Sequence, residues 1–219
     1  MTGRRLRLGV LISGRGSNLQ SLIDACAGAD FPAEIALVVS NVAGAEGLAR
    51  AGAAGLPCAV VGHRDYPDRE SFEAEITRRM ETAGVELICM AGFMRVVTAG
   101  FVTHWFDRLI NIHPALLPAY PGLRTHARAL ADGVRFSGCT VHLVRPDLDC
   151  GPIIIQAAVP VLDGDTPETL ADRVLESEHR IYPQAVRLLA EGRVTVEGPR
   201  VRITGAQRPC PSVINPPPG

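Results

Sequence analysis

Two polar side chains interrupt the apolar run Arg108-Leu109-Ile110-Asn111-Ile112-His113, and Pro114 closes it. The length and β-branched content of the run predict a short buried strand. Residues two apart on a strand share a face, so Asn111 and His113 stand side by side. Proline has no N–H to give a sheet and ends the strand there. An amide and an imidazole at the carboxyl end of a strand sit where open α/β sheets do chemistry. The pair suits acyl or formyl transfer: Asn offers an N–H to a developing oxyanion, and His offers a proton or a positive charge. A lone histidine in such a run is more often structural. Its pairing with an Asn that has four hydrogen-bonding sites to satisfy gives the catalytic reading more to explain.

Two other segments carry candidate chemistry. Asp147-Leu148-Asp149-Cys150-Gly151-Pro152 sets two carboxylates on a turn after a strand. A carboxylate near an imidazole favours its charged form, although Asp and Gly also mark plain turns. Ser13-Gly14-Arg15-Gly16-Ser17-Asn18 lies between a strand and a helix, where glycines permit a tight turn and helix N–H groups can face a phosphate. It lacks the third glycine of a dinucleotide fingerprint and the Gly-Lys-Ser/Thr of a P-loop, so a phosphate monoester fits better. The alternative is a first βα turn capped by Ser17 or Asn18. Gly-x-Ser-x-Gly is missing, so neither Ser13 nor Ser17 reads as a covalent nucleophile and direct attack by a substrate amine is simpler. His142 reads first as a strand residue, with lining the site as its lesser role. His63, His104 and His126 fall in loop or helix contexts that suit solvated surface, and His179, beside Glu178, is ambiguous.

The elements that must position these residues alternate. Strands are expected over Leu6 to Ser13, Ile35 to Ser40, Cys58 to Val61 and Leu87 to Met90. Helices are expected over Leu19 to Ala27, Ala45 to Ala54 and Asp68 to Ala83, the last capped by Asp68. That alternation predicts a doubly wound, mostly parallel α/β sheet. Pro114 to Gly122 is too proline-rich for helix or sheet, and a short helix follows over Arg124 to Asp132. Ser137 to Val144 and Ile153 to Val161 lie too close for a crossover helix and predict an antiparallel edge. A long helix over Thr166 to Leu189, kinked at Pro183, precedes a ribbon over Val194 to Ile203 that turns at Gly198. One domain over 1–205 and a proline-rich tail over 206–219 are expected.

Composition narrows the partners. The chain of 219 residues is 47% hydrophobic and 21% charged, with 22 basic against 23 acidic residues and a net charge of -1. No strong field is available for a polyanion, which argues against nucleic acid or an anionic membrane. No apolar stretch reaches the roughly 18 residues of a bilayer span. The start is a poor secretory signal, so a cytoplasmic location is expected. The six cysteines include no Cys-x-x-Cys and read as small buried hydrophobes. Cys139 and His142 fall on opposite faces of their strand, and no metal site is expected.

Taken together, five motifs resemble the phosphoribosylglycinamide formyltransferase family. They are Ile12-Ser13-Gly14-Arg15-Gly16-Ser17-Asn18-Leu19-Gln20, Ala91-Gly92-Phe93-Met94-Arg95, Asn111-Ile112-His113-Pro114, Leu116-Leu117-Pro118-Ala119-Tyr120-Pro121-Gly122 and Leu148-Asp149-Cys150-Gly151-Pro152. The resemblance runs in order from about Leu6 to Arg193. It implies a Rossmann-like formyltransferase fold and transfer of a formyl group from 10-formyltetrahydrofolate to glycinamide ribonucleotide in de novo purine synthesis. Direct attack by the amine would pass through a tetrahedral oxyanion. Asn111, His113 and Asp149 match the family's catalytic trio. Gly16, Ser17, Asn18 and Glu178 match its contacts with the phosphoribosyl substrate. Arg69, Met94, Arg95, Val96, Val97, Asn111, Arg145, Pro146, Asp147, Leu148 and Asp149 match its folate pocket. The partners implied are these small molecules, without nucleic acid or membrane, in a monomer or homodimer.

Four positions depart from the family: Ala115 replaces a common Ser, Ala119 a frequent Lys, Arg15 a frequent Asn, and Cys150 a frequent Gly. None touches the trio, so the expected effect is on substrate affinity. A methionyl-tRNA formyltransferase would carry a further C-terminal RNA-binding domain, and a formyltetrahydrofolate hydrolase an N-terminal regulatory one. This chain offers a short tail after Ile203 and begins almost at its first strand. A phosphate-binding module would explain Gly14 to Asn18 but leave Asn111 and His113 without a purpose.

Overall fold

The computed structural model describes residues 4–207 and 213–215. In chain order the elements are β1 (Leu6–Ile12), α1 (Ser17–Cys26), β2 (Ala33–Ser40), α2 (Glu46–Ala53), β3 (Cys58–Val60), α3 (Arg69–Thr82), β4 (Leu87–Met90) and α4 (Ala99–His104). They continue as β5 (Leu109–His113), α5 (Thr125–Ala131), β6 (Phe136–Leu143), β7 (Ile153–Pro160), α6 (Pro167–Ala190), β8 (Val194–Glu197) and β9 (Arg200–Ile203). Seven strands form one sheet in the order β3-β2-β1-β4-β5-β6-β7. The first five pair in parallel, and β6 runs antiparallel to both β5 and β7. The doubly wound sheet with an antiparallel edge is therefore as expected.

Burial on both faces explains the apolar runs. Leu8, Val10 and Ile12 of β1 pack with Leu19 and Leu22 of α1 and Val174 and Tyr182 of α6. Leu11, between them, packs on the other face with Phe72, Ile76 and Met80 of α3 and Phe101 and Trp105 around α4. Each such side chain contributes about 1.5–3 kcal/mol by leaving water. Strand order reverses between β1 and β4, which opens a crevice at their carboxyl ends. The loops after β1 and β4 flank that crevice, and β5 lies next to β4.

Local chemistry sets the boundaries. The Asp68 side chain accepts from Ser71 N–H at the start of α3, as expected. Thr166 and Thr169 form a capping box on either side of Pro167, and α6 runs on through Pro183. α1 departs from expectation by starting at Ser17 behind Gly16, whose φ is 70°, with no side-chain cap. A Cβ on Gly16 would lie 2.6 Å from Gly47 Cα, so the turn packs directly on α2. α4, six residues long, was not expected from the sequence, because Gly100 and the β-branched Val102 and Thr103 hide so short a helix. The β8–β9 ribbon turns at Gly198 as expected.

The prolines of the expected tail lie outside the described residues. Asn215 is described, and its amide donates to the carbonyls of Arg135 (2.7 Å) and Val161 (3.0 Å). Among the described residues, no helix is long and apolar enough to cross a membrane.

Candidate active site

β5 delivers Asn111 and His113 to the wall of a cavity of about 800 Å³. The loop after β4 contributes Met94, Arg95, Val96 and Val97. The loop after β6 contributes Arg145, Pro146, Asp147, Leu148 and Asp149. Thus the three residues of the expected trio, and all but one of the expected folate contacts, meet in one place. The exception is Arg69, which is exposed as the first residue of α3 and does not line the cavity. Arg69 shares the helix face of Phe72 and Ile76 but stands a turn before them, at the exposed start of the helix.

His113 is buried and faces an acceptor at each ring nitrogen. Nε2 lies 2.8 Å from the Tyr120 carbonyl oxygen, and Nδ1 lies 3.4 Å from Asp149 Oδ2. An imidazolium has two N–H donors, and here both would be satisfied. Asp149 Oδ2 also accepts from Gly122 N–H at 2.7 Å, tying together the loops after β5 and β6. Tyr120 (φ 55°) and Asp149 (φ 48°) are non-glycine residues in the left-handed region. Such conformations are held by their surroundings and gather at functional sites.

The antiparallel partner strand supports this arrangement. Thr140 of β6 stands opposite His113. Its hydroxyl donates to the Ala115 carbonyl (2.7 Å) and accepts from Leu117 N–H (3.1 Å) and the Gln156 amide (3.0 Å). The hydroxyl's one proton and two lone pairs are all used, which fixes the start of the proline-rich loop. Ala115 itself is buried in this structure.

His142 stands opposite Asn111, lines the cavity, and places Nε2 3.3 Å from Asn111 Nδ2. Its Nδ1 lies 3.1 Å from the Leu143 carbonyl, and burial pushes its pKa down. His142 is a strand residue of β6, its first reading, and it also takes the lesser expected role of lining the cavity. His126 was expected at the surface but also lines the cavity. Burial and the neighbouring His113 lower its pKa.

The turn at Gly16 to Asn18 forms a second group. Asn18 Nδ2 donates to Glu178 Oε2 at 2.7 Å, joining α1 to α6 across 160 residues of sequence. Both residues are buried, and burial raises the Glu178 pKa against the opposing effect of the Asn18 hydrogen bond. Among the described residues Asn18 Oδ1 has no partner though buried, leaving an acceptor for an incoming donor. Capping by Ser17 or Asn18, the alternative reading of this turn, is not found.

Gly16, Ser17, Asn18 and Glu178 do not line the large cavity. Ser13 connects the two groups: its hydroxyl accepts from Met94 N–H (2.8 Å) and donates to Asn41 Oδ1 (2.6 Å). Arg15 and Cys150 are exposed. Among the described residues, no group of three or more His, Cys, Asp or Glu could hold a metal ion.

Residues 6–186 match the family model described as "Formyl transferase". The chain is 54% identical over 190 residues to the "Trifunctional purine biosynthetic protein adenosine-3" of Drosophila pseudoobscura pseudoobscura, covering 86% of this chain but 14% of that protein. It is 41% identical over 200 residues to the "Phosphoribosylglycinamide formyltransferase" of Escherichia coli K12, covering 91% of this chain and 94% of the relative. Among solved structures, "glycinamide ribonucleotide transformylase 1" of Symbiobacterium toebii superposes with a TM-score of 0.90 at 51% identity, covering 92% and 95% of the two chains.

Proposed function

The chain belongs to the formyl transferase family, within its phosphoribosylglycinamide formyltransferase group, and on that premise we propose that it formylates glycinamide ribonucleotide from 10-formyltetrahydrofolate. The observation that carries this reading is the meeting of Asn111, His113 and Asp149 at one cavity wall. A volume of about 800 Å³ suits a folate-sized molecule. Met94, Val96 and Leu148 give it an apolar, exposed rim for a flat heterocycle, beside the backbone of Met94 to Val97 and Arg145 to Asp149.

The substrate amine attacks the formyl carbon with its lone pair, and the carbonyl π pair moves onto oxygen. Asn111 N–H and the His113 imidazolium stabilise that oxyanion. His113 Nε2–H exchanges the neutral Tyr120 carbonyl for the more basic oxyanion, while Asp149 keeps Nδ1–H. The carbon–nitrogen bond to folate then breaks, and its electron pair stays on the folate nitrogen. That nitrogen gains a proton as the attacking amine loses one, so charge balances. The N–H groups at Gly16 to Asn18 receive the phosphate, and Glu178 is the acidic contact for the rest of the phosphoribosyl substrate.

The test is formyl transfer from 10-formyltetrahydrofolate with glycinamide ribonucleotide, water and methionyl-tRNA as competing acceptors. Turnover on glycinamide ribonucleotide far above the other two is expected. Preferential hydrolysis or tRNA formylation would overturn the reading.

A further inference from the structure

Resting on the reading of Asn111 as an oxyanion donor, we propose that His142 is its positioning residue: the Nε2 lone pair holds the Asn111 amide so that an N–H, and not the carbonyl oxygen, faces the formyl oxygen.

The tautomer follows from the partners. The Leu143 carbonyl, 3.1 Å from His142 Nδ1, can only accept, so the proton sits on Nδ1. The ring is 1% exposed, and burial disfavours its cation. Two titratable neighbours act on it in opposite senses, Asp149 favouring the charged form and His113 opposing it. A neutral ring with Nδ1–H leaves Nε2 as an acceptor, and Asn111 Nδ2 lies 3.3 Å away. Turning the amide over would set the Oδ1 lone pairs against the Nε2 lone pair, acceptor against acceptor.

Among the described residues, His142 is the one hydrogen-bond partner of the Asn111 side chain. Without it the amide is free about a terminal torsion that has two roughly equivalent settings. Backbone pairing supplies the contact, because Asn111 and His142 are direct cross-strand partners on β5 and β6.

The experiment is a double-mutant cycle on the full chain with Asn111→Ala and His142→Leu, plus His142→Gln as the conservative variant. His142→Leu is expected to lower kcat about ten-fold with KM nearly unchanged, the scale of one lost hydrogen bond. In the Asn111→Ala background, His142→Leu is expected to cost nothing more. Gln carries an amide oxygen where His has Nε2 and is expected to restore most of the rate. An equal loss from His142→Leu in both backgrounds, or a Gln variant as impaired as Leu, overturns the proposal.

The second readout needs no turnover. ¹⁵N NMR of the unmodified protein is expected to show His142 protonated at Nδ1 alone, and a proton on Nε2 overturns the proposal whatever the activity. An unmodified protein inactive on glycinamide ribonucleotide would sink the proposed function instead, leaving the His142 tautomer to be read by NMR.

Discussion

Replacing Asp149 by Asn separates the charge of that side chain from its role as a loop anchor. Asp149 Oδ2 lies 3.4 Å from His113 Nδ1 and accepts from Gly122 N–H at 2.7 Å. At an effective dielectric constant of about 20, opposite unit charges 3.4 Å apart attract by roughly 5 kcal/mol. Asparagine keeps an oxygen for Gly122 N–H and a dipole toward the imidazole but loses the charge. About 3 kcal/mol of support for the imidazolium is then lost, equivalent to roughly a 100-fold fall in kcat. Asp149→Ala also leaves Gly122 N–H without its acceptor and loosens the loops around the cavity. It should therefore raise KM for the formyl donor as well. Steady-state kcat and KM across pH, with melting curves to confirm folding, make the comparison. An Asp149→Asn variant within three-fold of unmodified kcat at every pH would refute the reasoning, as would identical changes in both variants.

Ser13→Ala should weaken binding of the formyl donor several-fold, because Met94 N–H and Asn41 lose their shared hydroxyl, and calorimetry with folate alone measures it. Asn18→Ala should weaken the phosphoribosyl substrate before folate, so a loss confined to folate in separate titrations would refute the assignment. Asp165 is held well below the usual carboxylate range, chiefly by Arg173 and further by Leu162 N–H and Thr169. A depressed native pKa stabilises above the unfolded value and is lost as pH falls toward the native one. Asp165→Asn should thus cost about 1–2 kcal/mol at neutral pH, with the deficit shrinking below about pH 4, as chemical denaturation at several pH values would show.

The sheet was readable because parallel strands buried on both faces leave apolar runs that little else produces, as at Leu6 to Ile12 and Leu109 to His113. Asn111 and His113 were visible because polar residues stand out in such a run. His142 was harder to read, since its meaning depends on which residue of β5 it opposes, and strand pairing across 31 residues is not written locally. The Tyr120 carbonyl carries no side-chain signal at all. Ser13 lacks the sequence setting of a nucleophile, yet its hydroxyl bridges the loops after β1, β2 and β4. Arg69 fitted the family pattern but is exposed at the first position of α3 and does not line the cavity.

The pairing of β5 with β6 stores chemistry in parity. Asn111 meets His142 and His113 meets Thr140, so both support residues occupy even offsets along one strand. Deleting Val141, the residue between them, would move one of the two to the opposite face, and would also remove a buried core side chain and turn over the strand residues on that side. Such a chain would lose the arrangement around the imidazole and the amide together with part of the core. A change of length in this strand is therefore costlier than a single substitution.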